Sequence, residues 1–372
     1  MKVIKKNRLL IILLIFMLPV VIQAQAMPFW LRLEYGKMHF RDGNYGSAIL
    51  AFEDARRSRW DAFTQMESDL ILTLSTPEFR ILGDDLDWVE AYTIETRHDA
   101  ANRALRELYY RFPRESLEGS VHRALEEIDR LKAYPEAEFW LGETFRAEGE
   151  LALALRQYQK AYDERENLET PGFEIEILYR MVEIHRIRQE YVEMENRILQ
   201  ILRTPGNNLW ASENFARSAM MGILERDGIN RFLIFYRYNN PQLERAHRLL
   251  GLFYFATSRH IQAAEHLMFA FLIQNTVLIE EVMLQEFDFI FSTLDTLMGS
   301  IQRRPDLINY LDDIEYFRTL YFLGASFFAT GRINTARQIW TFVSGRQEAG
   351  VWRNHAQSQL QSPIIERAIQ MP

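Results

Sequence analysis

The sequence predicts an all-α fold of stacked helical hairpins. Apolar residues fall at intervals of three and four along most of the chain, the period of a helix face, and short amphipathic segments recur in pairs with a glycine between them. Neither member of such a pair is long enough to be stable alone in water. Each pair also exposes apolar surface on both sides, so it needs similar units beside it. A chain of 372 residues can grow in this way by local interfaces, without a single core.

The first element is a leader. Lys2, Lys5, Lys6 and Arg8 precede an apolar run over residues 9–22, and Ala24, Gln25 and Ala26 follow as a small-x-small cleavage site, so residues 1–26 read as a signal peptide. The run is shorter than the about 20 apolar residues of a comfortable span. An uncleaved anchor is the alternative, and no integral span is expected once the leader is cut. The chain has no cysteine, which excludes a lipid-anchored cleavage product, a disulfide framework and a zinc ribbon. With no Asn-x-Ser/Thr acceptor and a compact leader, the expected location is the bacterial periplasm, with release into the medium as the alternative. The leader carries four of the 43 basic residues and none of the 51 acidic ones, so a chain without it has a formal charge of about −12. Such a surface repels nucleic acid and anionic lipid.

The clearest hairpin is "FWLGETFRAEGELALALRQYQKAYDE" at 139–164, with Leu141, Gly142 and Phe145 on one helix, Gly149 at the turn, and Leu151, Ala154, Tyr158 and Ala161 on the next. The same offsets recur at Gly36, Gly43, Tyr45, Ala48, Phe52 and Ala55. They recur again at Leu250, Gly251, Tyr254, Ala263, Leu267 and Ala270, and at Leu323, Gly324, Phe327, Gly331, Ile333, Ala336 and Trp340. This order of small, aromatic and large residues resembles the tetratricopeptide (TPR) repeat, whose unit is about 34 residues. The resemblance implies an irregular right-handed α-solenoid. In it Gly36, Ala48, Phe52, Ala55, Gly142, Ala154, Tyr158, Ala161, Gly251, Ala263, Gly324 and Ala336 pack helix against helix.

Weaker copies run through Trp88, Val89, Tyr92, Ala101, Leu105, Leu108 and Pro113, and through Val182, His185, Tyr191, Ile198 and Ile201; two more are read near 221–233 and 278–297. The first units start further apart than one repeat, so extra helices are expected at 61–74 and 117–132. Pro205 marks the softest boundary and divides the repeats into 27–205 and 206–372. The last segment, from Val351, reads as a capping helix followed by a loose tail beyond Pro363.

No phosphate-binding GxxxxGK[ST], no GxGxxG, no GxSxG and no HExxH occurs. His260, Glu265 and His266 come nearest to a metal cluster, but helical steps of five and six set His260 apart from the others. No cofactor or metal is expected, and the predicted activity is binding rather than catalysis. The competing reading is a cell-wall glycan hydrolase or small-molecule binder on a solenoid, with Glu143 and Glu183 as paired carboxylates.

The TPR resemblance further implies that the first helix of each hairpin lines a concave groove that holds peptides or helices of other proteins. Carried over position by position, the groove residues are Trp30, Lys37, Phe40 and Arg41; Phe139, Glu143 and Arg146; Tyr179 and Arg186; Arg245, Arg248 and Phe255; and Arg318, Tyr321 and Phe328. Aromatics and arginines contribute disproportionately to interfaces; the alternative is that the aromatics pack between hairpins. A lysine–asparagine carboxylate clamp is absent, since Leu33, Phe139 and Arg248 occupy the lysine places and Lys37, Glu143 and Leu252 the asparagine places. The aromatic runs "RFLIFYRYNNP" and "YFRTLYFLGASFFATGR" in the C-terminal third allow either burial or a docking patch.

Overall fold

The computed structural model describes residues 27–74, 128, 130–204 and 214–366. Fourteen α-helices follow one another among the described residues, and no strand occurs among them. They fall into two compact units, Met1–Ile177 and Leu178–Pro372. The expected leader, the copy from Trp88 to Pro113 and the boundary at Pro205 lie outside the described residues. So does the helix expected at 117–132, apart from helical residues Ile128, Arg130 and Leu131.

The first unit contains α1 (Phe29–Arg41), α2 (Tyr45–Leu74), α3 (Pro135–Ala147), α4 (Leu151–Asp163) and the start of α5 (Phe173–Ile187), which crosses the division. Helices α1 and α2 form one hairpin and α3 and α4 another, with α2 packed on α3. Their shared core is Leu33, Ala48, Phe52, Ala55, Tyr134, Ala137 and Leu141. The extra helix expected at 61–74 is a continuation of α2. No glycine or proline interrupts residues 47–74, so nothing in the sequence ends the helix earlier.

The second unit continues with α6 (Tyr191–Leu202), α7 (Asn214–Phe235), α8 (Pro241–Ala256), α9 (His260–Gln285), α10 (Leu294–Ile301), α11 (Pro305–Asp313), α12 (Tyr316–Ala329), α13 (Ile333–Ser344) and α14 (Val351–Gln361). Prolines open α3, α8 and α11, where the missing N–H is one of the helix's unpaired donors in any case. Helices α8 and α9 pair, as do α12 and α13, and α9 packs along α12. The hairpin expected at 278–297 is replaced by the 26-residue α9 running on to Gln285. The stretch near 221–233 is a helix kinked at Gly228.

Two devices repeat. The turns of five helix pairs each place one residue at positive φ: Gly43, Gly149, Gln189, Ser258 and Gly331. The following N–H reaches back to close the turn, as from Glu150 to the Phe145 carbonyl at 2.8 Å and from Arg259 to the Tyr254 carbonyl at 2.7 Å. The second device is a seat. A Cβ on Gly142 would stand 2.6 Å from the Tyr158 ring and one on Gly324 2.7 Å from Trp340, and Gly36 under Phe52 and Gly251 under Leu267 repeat the arrangement. In all four the large residue follows its glycine by sixteen positions.

The aromatic runs divide between the two expectations. Tyr316, Tyr321 and Phe327 of the second run and Phe232 and Leu233 of the first are buried, whereas Ile234 and Phe235 of the first are exposed. Among the described residues, α9 is the one helix long and apolar enough to cross a membrane, and 72% of its most apolar stretch is buried inside the protein.

Candidate functional site

On α1 the helical period places Trp30, Glu34, Met38 and Arg41 on one face, and all four are exposed. Trp30 is 55% exposed, Met38 46% and the neighbouring Tyr35 42%. Beside this stripe Lys37 bonds Glu34 at 2.7 Å and lies 5.6 Å from the Trp140 ring, which Phe40 meets edge-on at 5.5 Å. Trp30 and Arg41 are thus presented outward, while Lys37 and Phe40 connect α1 to α3.

The other expected groove residues of the first unit sit deeper. Phe139 is buried against Tyr158 at 5.7 Å and Phe173 at 4.8 Å. The buried Glu143 carboxylate accepts from the Tyr158 hydroxyl and from Arg146 at 2.9 Å. Burial, reinforced by the Glu143 charge, pushes the Tyr158 hydroxyl pKa up. Glu143 is therefore a packing group beneath the helix surface. Its suggested carboxylate partner Glu183 belongs to the second unit, where it pairs with Arg180 at 3.7 Å.

In the second unit the structure joins expected groove residues to one another. Tyr179 on α5 is buried, donates to the Gln242 carbonyl at 2.5 Å and carries the Arg245 guanidinium 4.8 Å from its ring centroid. Burial raises its pKa. Arg248 is buried on α8, where it bonds Glu244 at 2.9 Å and also Glu315; Arg318 on α12 bonds the other oxygen of Glu315 at 2.8 Å. Gln274 of α9 donates to Glu244 at 2.7 Å and to the Ile314 carbonyl at 2.9 Å. Burial raises the Glu244 pKa against the opposing pull of Arg248. Glu315 holds both arginines from a left-handed backbone conformation, φ 48°, which a non-glycine residue adopts at a cost. Arg186 is exposed at the end of α5.

Arg248 is thus a buried brace between α8 and α12 and does not belong to an open groove. Phe255 is buried edge-on to Phe322 at 5.1 Å, and Phe328 stands 5.7 Å from Trp340. Tyr321 is buried near Trp352 and His355, with its hydroxyl bonded to Glu366. A cavity of about 430 Å³ opens beside them, lined in part by Glu315, Arg318, Phe322, Trp352 and His355.

Sequence reasoning missed one feature of this unit. His247 and His266, both buried, face each other with their Nδ1 atoms 3.1 Å apart. Burial lowers the His247 pKa to about 3 and holds His266 well below the usual imidazole value, with the charges of His247 and Arg217 adding to the effect. The two residues come from α8 and α9, the paired helices of one hairpin. His260 turns instead to the Phe255 ring at 5.1 Å. Among the described residues no group of three or more His, Cys, Asp and Glu side chains could hold a metal ion.

The described residues define an all-α protein of helical hairpins, with an exposed stripe of Trp30, Glu34, Met38 and Arg41 on α1. No protein-family model matches the chain. It is similar to an uncharacterised protein of Treponema pallidum (strain Nichols), 22% identical over 315 residues that cover 84% of each chain.

Proposed function

We propose that this chain is a non-enzymatic protein-interaction scaffold of TPR type, working in the bacterial periplasm as a structural or assembly part of an envelope-spanning machine. The observation that carries the proposal is the α1 stripe, where Trp30, Met38 and Arg41 stand exposed on one helix face. Tryptophan, methionine and arginine are enriched at the centres of protein interfaces. A stripe of them on a helix suits a helix or an extended peptide as partner. The TPR reading rests on the four glycine seats and the repeated left-handed turns. Among envelope machines, flagellar-motor collars, cell-wall synthesis and outer-membrane assembly fit such a scaffold.

The test is crosslinking in intact cells followed by mass spectrometry, with native chain and a Trp30→Ala/Met38→Ala variant compared. The proposal expects a reproducible partner with the native chain that is lost with the variant, at unchanged melting temperature. No partner with the native chain, or the same partner with both, overturns it.

A further inference from the structure

A cavity of about 440 Å³ in the first unit lies away from the α1 stripe, among α2, α4 and the start of α3. Its floor is polar and closed. Glu138 is fully buried and Arg59 and Tyr134 are 2% exposed. Arg59 is fixed by bonds to Glu169 at 2.7 Å and to the Arg130 carbonyl at 2.5 Å, with its guanidinium 4.3 Å from the Tyr134 ring centroid. Its Nε has no hydrogen-bond partner. Glu138 receives Arg56 at 2.9 Å and Lys160 on one oxygen, while its other oxygen has none, and neither has the Tyr134 hydroxyl.

Buried polar atoms without partners are uncommon in folded proteins, and four of them belong to residues of this one cavity, the fourth being a Glu164 carboxylate oxygen at its edge. The Arg59 Nε–H needs an acceptor, the Tyr134 hydroxyl can use one, and the free Glu138 oxygen needs a donor. The mouth is basic. Arg56 and Lys160 present side chains 40% and 45% exposed, and the lining carries five basic residues against three acidic ones in a chain of net charge −8. Trp60 and Leu131 supply apolar wall.

We infer that this cavity binds a small carboxylate ligand that also carries a hydrogen-bond donor, of the class of acidic amino acids and short acidic peptides. The ligand's carboxylate meets the basic mouth, and its amine or amide N–H reaches Glu138. A bare anion such as phosphate offers the floor less, because at neutral pH it is chiefly an acceptor. The inference is independent of the scaffold reading, since it concerns a different surface and a purified protein.

The experiment is calorimetric titration of the full chain with four probes: glutamate, the dipeptide Ala-Glu, the amidated dipeptide Ala-Gln, and inorganic phosphate. The expected result is saturable one-to-one binding of glutamate or Ala-Glu, at least tenfold weaker for amidated Ala-Gln and phosphate. Binding of glutamate alone identifies a free amino acid as ligand, and binding of Ala-Glu alone a peptide end. An Arg56→Gln/Lys160→Gln variant, altered at part-exposed positions and checked for an unchanged melting curve, should weaken binding at least tenfold. Glu138→Gln should weaken it as well, and the mouth variant decides if that protein fails to fold. The inference is overturned if no carboxylate probe saturates, which leaves the cavity to water alone. Phosphate binding as well as Ala-Glu, or unchanged affinity in the mouth variant, also overturns it.

Discussion

The buried histidine pair makes the stability of the second unit depend on acid in a calculable way. Both imidazoles are held neutral in the folded state: burial lowers His247 to about 3, and His266 lies well below 6.5 through burial and the charges of His247 and Arg217. In the unfolded chain both recover the ordinary histidine pKa of about 6.5. A group with a depressed folded pKa binds protons more readily when unfolded. The histidines' contribution is therefore complete above about pH 6.5 and falls as the pH drops from there toward about 3. Between pH 7 and pH 5 the unfolded state gains about 2 kcal/mol at His247, and His266 adds to the loss in the same direction. The assay is urea unfolding at pH 7, 6 and 5 at constant ionic strength, read from the second unit. A His247→Gln/His266→Gln variant is the comparison, because other groups titrate equally in both proteins. The native chain should lose at least about 2 kcal/mol more than the variant over this range. Parallel curves would refute the reasoning, since they would show that the pair takes up protons alike folded and unfolded.

Three further outcomes follow from the packing. Gly324→Ala places a methyl against the buried Trp340, whose indole N–H donates to the Tyr321 carbonyl at 3.2 Å; chemical denaturation should show a loss of about 1–3 kcal/mol. Ser258→Gly relieves a left-handed serine at φ 60° and should raise stability by about 1 kcal/mol in the same assay. Arg248→Met leaves Glu244 buried and Glu315 short of a partner. It should cost about 3 kcal/mol, and the loss should persist in 0.5 M salt, because buried charges are poorly screened.

The hairpins were legible because their determinants are local. In α1–α2, α3–α4 and α12–α13 a glycine at the turn and a second glycine sixteen residues before a large side chain fix both the bend and the contact within one stretch of chain, whereas the turns at Gln189 and Ser258 carry no glycine. Helix lengths were less legible. The end of α2 and the run of α9 through Gln285 depend on the absence of a breaker rather than the presence of a signal. The groove assignment was only partly legible, because a position within a repeat says which face a residue takes and not what lies over that face. Trp30 and Arg41 remain outside on the first helix, whereas Phe139, Tyr179, Arg248, Phe255 and Tyr321 are covered by neighbouring helices. Charge reversal at Arg248 is therefore a test of stability and not of binding. The cavity floored by Arg59 and Glu138 gave no sequence signal at all, since its residues come from separate helices and loops.

The most direct measurement of the scaffold reading is photocrosslinking in intact cells from a reactive residue placed at Glu34, inside the α1 stripe, with the half-buried Gln159 of α4 as control. The reading requires a discrete heavier species from position 34 that is absent from position 159 and that contains a second protein. Equal, diffuse crosslinking from both positions, or none from position 34, would contradict it.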